Sequence, residues 1–317
     1  MMSAEHSSGK PSVSVIMNCY NSDKYLQETL DSLFAQTFTD FEVIFWDNQS
    51  TDQSSTIIKS YGDERVRYFY APKHTTLGEA RNLAMQEAKA DWIAFLDCDD
   101  IWHPEKLWRQ LELVGLSDAS LGLVYTKTTY LGGPHDGKEL NPEYQDKDSP
   151  EGHILTDYLA IGNFIPLPAA LIKKSAYVEV GKIPDNLKQA EDYYLFAAIA
   201  SMYSVRCVQK VLTWYRIHGS NLSHKQRYES VAESLIIIRQ FLPQAKLSWS
   251  TLPALLNRFS RYSFLAVYYG LLDKHSIRTI SRAISLLGII LLPLGSALEI
   301  RSKIQRVVRS QGAGGLK

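Results

Sequence analysis

The sequence predicts an α/β fold: a mostly parallel sheet flanked by helices, with a helical extension at the C-terminus. Three observations predict it. Short runs rich in β-branched residues alternate with stretches of helical periodicity up to about Leu113. Polar clusters at 18–21, 47–52 and 97–100 each follow such a run. The charge also divides along the chain. From Lys225 onward there are 14 Lys+Arg against 4 Asp+Glu, although the 317 residues as a whole balance 34 against 34.

Each element follows from its pattern. Residues 13–17 form a short apolar run, read as a buried parallel strand. Asn21 or Ser22 is placed to cap the next helix, where Tyr25, Leu26, Leu30, Leu33 and Phe34 recur at helical spacing. Residues 41–46 read as a second strand, 52–60 as a helix and 66–70 as a third strand. Residues 77–88 form a helix with Leu77, Ala80, Ala84 and Ala88 on its core face. Residues 92–96 make a fourth strand that ends on three acids. Pro104 suits a helix start, with Leu107, Leu111 and Val114 on one face. Beyond Tyr130 the pattern loosens. Residues 132–152 read as a long loop, 168–172 as a strand, 189–201 as a helix and 204–214 as a strand.

Composition excludes several classes. A chain that is 45% hydrophobic with ordinary charge is neither disordered nor collagenous. Cys19, Cys98 and Cys207 are scattered, without zinc spacing, and fit a reducing, cytoplasmic setting. Residues 1–10 are polar and read as a loose tail, not a signal peptide. There is no GxGxxG and no P-loop motif.

In open α/β sheets ligands lie at the carboxyl ends of the strands, so the three polar clusters converge on one crevice. Asp97, Asp99 and Asp100 crowd together there. Like charges this close repel, and a divalent cation, Mg²⁺ or Mn²⁺, relieves the repulsion. A helix start with solvated acids accounts for the same residues.

Six motifs then stand in order: VSVIMNCYN at 13–21, FEVIFWDNQSTD at 41–52, GEARN at 78–82, WIAFLDCDD at 92–100, AED at 190–192 and YRIH at 215–218. Together they resemble the family 2 glycosyltransferases of GT-A type, whose sheet is Rossmann-like. The resemblance covers about residues 12–223. It implies an inverting enzyme that uses a nucleotide diphosphate sugar donor. Asn18, Cys19, Tyr20, Asn21, Asp47, Asn48, Arg81, Asp97 and Cys98 would lie around the donor. Asp99 and His218 would hold the divalent metal (Mn²⁺ or Mg²⁺) on the diphosphate. Asp192 would be the general base. Two positions depart from the family: Asn18-Cys19 replaces Pro-Thr, and Asn48 replaces a second acid that often reads the base. The nucleotide is therefore left open.

The expected organisation is a tail at 1–10, a catalytic domain at 11–224 and a basic, apolar helical region at 225–317. That last region holds apolar stretches at 252–272 and 283–298. Arg278, Arg282, Arg301, Lys303, Arg306 and Arg309 flank the second stretch. Sixteen residues span only about 24 Å as a helix, too short for a bilayer core of roughly 30 Å. The pattern fits peripheral contact with an anionic membrane, at the inner face of the plasma membrane, and a lipid-linked saccharide acceptor. A helix pair packed on the domain or in a homodimer fits it as well. Nucleic acid is not expected as a partner, because the basic tail lacks interleaved aromatics. A sugar-phosphate nucleotidyltransferase and a non-catalytic partner of another transferase compete as functions. The first usually carries a Gly-rich opening loop that 18–21 lacks.

Overall fold

The computed structural model describes residues 9–141, 144, 147–221 and 226–272. The strands are β1 (Val13–Cys19), β2 (Phe41–Asp47), β3 (Val66–Tyr70), β4 (Trp92–Phe95), β5 (Ile101–Trp102), β6 (Leu121–Leu131), β7 (Leu171–Lys173) and β8 (Ser204–Arg216). The helices are α1 (Asp23–Phe34), α2 (Ser54–Ser60), α3 (Leu77–Glu87), α4 (Lys106–Gly115) and α5 (Leu155–Ile161). They continue with α6 (Lys174–Val180), α7 (Glu191–Met202), α8 (Arg227–Phe241) and α9 (Leu252–Leu272).

The strands form one sheet in the order β3-β2-β1-β4-β7-β6-β8-β5. Strands β3, β2, β1 and β4 are parallel, as the βαβ pattern requires. The sheet becomes mixed beyond β4. Strand β7 runs antiparallel to both neighbours, β6 pairs parallel with β8, and β5 runs antiparallel to β8.

Strands β1 and β2 are mostly apolar and buried almost throughout because helices cover both faces. Alternate residues enter different cores. Ile16, Ile44 and Phe95 pack on the side of α3 and α7. Val15, Met17, Val43 and Phe45 pack on the side of α1 and α4. Because β1 lies between β2 and β4, the ends of all three strands form one row that holds Asn18, Asp47 and Asp97.

Several sequence expectations shift locally. Neither Asn21 nor Ser22 caps α1 through its side chain. One carboxylate does this for two helices instead. Asp52 accepts from the Asp23 N–H at 2.9 Å and from the Ser54 N–H at 3.0 Å, at the starts of α1 and α2. The helix expected from residue 52 therefore begins at Ser54. The strand expected at 168–172 is displaced to Leu171–Lys173, because Pro168 has no N–H for a ladder and sits in a 3₁₀ turn, Leu167–Ala169. Strand β6, which the sequence pattern did not single out, is among the two longest in the sheet.

The described part of the C-terminal extension packs on the α/β core. Ile237, Ile238 and Phe241 of α8 and Leu255 of α9 enter the core beside α7. No described helix is long and apolar enough to cross a membrane. The stretch at 283–298 and its flanking cations lie outside the described residues.

Helix α7 is seated tightly on β6. A Cβ built at Gly122 would meet the Tyr203 Cβ at 2.5 Å and the Ile199 Cγ2 at 3.0 Å. Those atoms sit close to the backbone and yield little. Gly122→Ala is expected to lower the unfolding free energy by about 1–3 kcal/mol, read by urea denaturation. An unchanged midpoint would show that α7 is free to shift on the sheet.

Candidate active site

The site begins with a tight row of turns at the strand ends. Asp47 is fully buried. It accepts from the Ser50 N–H at 2.7 Å and from the Tyr68 hydroxyl at 2.6 Å. Asn48, the departure noted in the sequence, spends its amide on the loop before α3. It donates to the Thr75 carbonyl at 3.0 Å and accepts from the Thr75 N–H at 3.1 Å. Asn21 has a positive φ of 50° and accepts from the Thr51 N–H, which locks the β1 turn to the β2 turn. Cys19 and Cys98 are buried free thiols in the core, so their backbones alone line the row. Tyr20 stands out, 52% exposed, with its ring 4.4 Å from that of His74. The Asn18 side-chain amide nitrogen is buried without a partner.

The three acids after β4 separate into two groups. Asp100 turns inward and is fully buried, where it accepts from the Arg216 N–H at 2.8 Å. Burial beside Asp99 and Asp97 holds its carboxyl well above the usual range. Asp97 and Asp99 remain partly open. The Asp99 carboxylate lies 2.8 Å from His218 Nε2. Burial and the neighbouring Asp97 raise the Asp99 pKa, and His218 works against this rise. The pairing of Asp99 with His218 across 119 residues brings together the two side chains read as metal ligands. Among the described residues, no three His, Cys, Asp or Glu side chains form a metal-holding cluster on their own. The donor set nonetheless suits a Mg²⁺- or Mn²⁺-type ion. Such ions are held by one or two carboxylates and completed by substrate phosphates.

Arg81 joins the acids to the helix that carries Asp192. Its guanidinium is buried, donates to Asp97 at 3.1 Å, and ion-pairs with Glu191 at the start of α7. Asp192 follows in the first turn. Its carboxylate accepts from the Asn163 side chain at 2.9 Å and from the Tyr193 N–H at 2.6 Å. Burial, with the adjacent Glu191 charge, pushes its pKa up to about 7, against the pull of Arg81. A cleft of about 390 Å³ opens in front. Arg81, Asp97, Asn163, Glu191 and Asp192 line it, together with Leu77, Tyr130 and Tyr215. One cavity thus holds a cation, a carboxylate poised near neutrality and the open edge of the acid pair.

Two positioning residues escaped the sequence reading. Asn163 orients Asp192 and is itself held by the Tyr158 hydroxyl at 2.5 Å. Glu233 of α8 accepts from three consecutive N–H groups, those of Lys188, Gln189 and Ala190, at 2.9, 2.9 and 3.0 Å. These are the three residues before Glu191. Neither residue belongs to a local motif. A signal existed only in that an acid at 233 falls among the apolar residues of α8.

The strand order and the flanking helices give an α/β fold of GT-A-like architecture. Residues 14–166, just under half of the chain, match the model described as Glycosyl transferase family 2, which supports an enzyme of the glycosyltransferase type. A putative teichuronic acid biosynthesis glycosyltransferase of Bacillus subtilis, TuaG, is 38% identical over 107 residues, 33% of this chain and 42% of that protein. The structure of S. aureus TarS 1–349 in complex with UDP shares the fold at a TM-score of 0.64 and 20% identity. It covers 87% of this chain and 79% of that one. The mannosyltransferase PcManGT of Pyrobaculum calidifontis, in complex with GDP-Man and Mn²⁺, does so at a TM-score of 0.59 and 16% identity. It covers 94% of this chain and 81% of that one.

The Glu233 clamp is testable apart from the chemistry. Glu233→Gln puts an amide where three N–H groups seek an acceptor. It is expected to lower kcat on the order of tenfold while leaving the donor KM near its original value. Equal kinetics in the variant would show that the loop is held by other contacts.

Proposed function

We propose that the chain is an inverting glycosyltransferase that moves a sugar from a nucleotide diphosphate donor to an acceptor hydroxyl, with Asp192 as general base. The observation that carries this reading is the carboxylate of Asp192, with a pKa of about 7, facing the same cleft as Asp97 and Arg81. One base and one direct displacement invert the anomeric carbon.

In this reading Asp192 takes the proton from the acceptor hydroxyl as it attacks. Asn163 holds the carboxylate in register through its 2.9 Å hydrogen bond. Asp99, His218 and Asp97 would hold the divalent metal. When bound, that ion supplies charge neutralisation at the diphosphate leaving group. Arg81 keeps a fixed cation between the acid pair and Glu191, adding preorganised positive charge. Asp47 lies at the ribose end of the row, and the exposed Tyr20–His74 pair offers a face for the base. Asn48 is committed to Thr75, so the backbone and neighbours, not that amide, would read the base. UDP in one structural neighbour and GDP-Man in the other leave both bases as candidates.

The teichuronic acid relative supports a place in polysaccharide synthesis; the lipid-linked acceptor is read from the basic, apolar C-terminal sequence. The C-terminal basic region supports peripheral contact there.

Asp192→Asn is expected to lower kcat/KM by about 10²–10⁴-fold. In the unmodified chain the base works only when deprotonated, so kcat/KM rises with pH through about 7 and then levels. A flat profile between pH 5.5 and 8.5 would remove Asp192 from this role. In a thermal-shift series with UDP, GDP, TDP, CDP and ADP, one nucleotide is expected to raise Tm only when Mn²⁺ is present. Asp99→Ala is expected to abolish that rise; retention of it would place the metal elsewhere.

A further inference from the structure

A second cavity, of about 290 Å³, lies between α5 and α9 and shares no lining residue with the catalytic cleft. Its polar lining is Asn257, Arg258, Arg261 and Tyr262, all on one stretch of α9, and Ala160 and Ile161 form its apolar side. Every polar group on this wall is neutral or positive. Among the described residues no acid lines the cavity.

Arg258 makes the case specific. It is 8% exposed, so its charge is almost removed from water. Its guanidinium donates to the Ile161 carbonyl and to the Tyr262 hydroxyl, the latter at 2.9 Å. It lies over the rings of Tyr193 and Tyr262. Its Nε is buried without a hydrogen-bond partner, and no described carboxylate pairs with it. The other buried guanidinium among the described residues, Arg81, has two acids. Removing a charge from water without a counterion is expensive, and aromatic faces and one carbonyl repay only part of it. Arg261 adds a second cation one turn on, with its side chain exposed at the rim.

A phosphoryl group meets these demands. It supplies the missing negative charge, accepts the forked donors of guanidinium, and accepts further from Asn257 and Tyr262. We infer that the α5–α9 pocket is a phosphate-binding site, separate from the donor cleft, for the phosphate end of a phosphate-bearing acceptor. The anion site stands on its own observations; its assignment to the acceptor rests on the transferase reading above. The arrangement suits that assignment. Arg258 holds the carbonyl of Ile161, and two residues later Asn163 holds Asp192. The phosphate end of an acceptor would sit behind the strut that orients the base, and its hydroxyl would reach the front of the same strut.

The test uses the full chain with the donor cleft filled by a nucleoside diphosphate and Mg²⁺, so that added phosphate does not report that cleft. Inorganic phosphate is titrated against Tm, and against the ³¹P linewidth. Saturable binding is expected, and Arg261→Gln is expected to weaken it about tenfold, the usual loss for one charge-assisted hydrogen bond. Arg261 is a rim residue, so this variant keeps its fold; an unchanged response to nucleotide checks that. Arg258→Lys keeps the charge but loses the fork, and is expected to weaken phosphate as well. Phosphate binding that is absent, or equal in all three proteins, overturns the site.

Vesicles then separate the sources. Phosphatidylcholine vesicles doped with a long-chain polyprenyl phosphate are compared with phosphatidylcholine alone. Recruitment by the doped vesicles alone, lost in Arg261→Gln, assigns the site to a lipid-borne phosphate. Phosphate binding without such recruitment assigns it to a soluble phosphate-bearing acceptor. If the unmodified chain transfers no sugar from any nucleotide sugar while phosphate still binds, the transferase reading fails and the anion site stands.

Discussion

The structure depends most on one buried ion pair system, the guanidinium of Arg81 between Asp97 and Glu191. Asp97 ends the parallel half of the sheet, and Glu191 opens the helix that carries Asp192. The two belong to segments 94 residues apart, and Arg81 reaches them from a third element, α3. A single buried cation with two acid partners fixes the spacing between the acid row and the base. It also acts electrostatically on both sides. It offsets the negative charge that Asp97 and Glu191 bring together, and it holds down a base that burial would otherwise raise further.

The rest of the chain supports this arrangement by ordinary means. Strands with two covered faces place three strand ends in a row. Side-chain caps at Asp52 and Glu233 bind loop N–H groups that would otherwise be unsatisfied. Asp100 turns away to anchor the Arg216 segment, which brings His218 to Asp99. Acids that look alike in sequence therefore do different work. Some face the cleft, and some are internal staples.

How much of this was legible in the sequence follows from the physics of each part. The parallel half was legible because covered strands and amphipathic helices leave distinct periods. The acid row was legible because topology places strand ends together. Asp192 and His218 were reached through motif resemblance, and the structure sets them in the cleft and beside Asp99 respectively. The mixed half was not legible: β7 has three residues, and nothing in Leu171–Lys173 encodes a direction. Asn163 and Glu233 were invisible because the groups they position lie 29 residues away or more, in segments whose pairing only the tertiary fold creates. The fate of Asn48 was open for a similar reason. An amide donates and accepts equally well toward a ligand or toward a loop, and here the loop holds it.

The most direct test of this account is a double-mutant cycle on unfolding free energy with Arg81→Gln, Glu191→Gln and the pair. Each single change leaves a buried charge without one of its partners, so each is expected to cost about 3–5 kcal/mol. The double change is expected to cost less than the sum, with a coupling of at least about 1 kcal/mol. Strict additivity would contradict the account, because it would mean that Arg81 and Glu191 do not sense each other and that the base helix is held by other contacts.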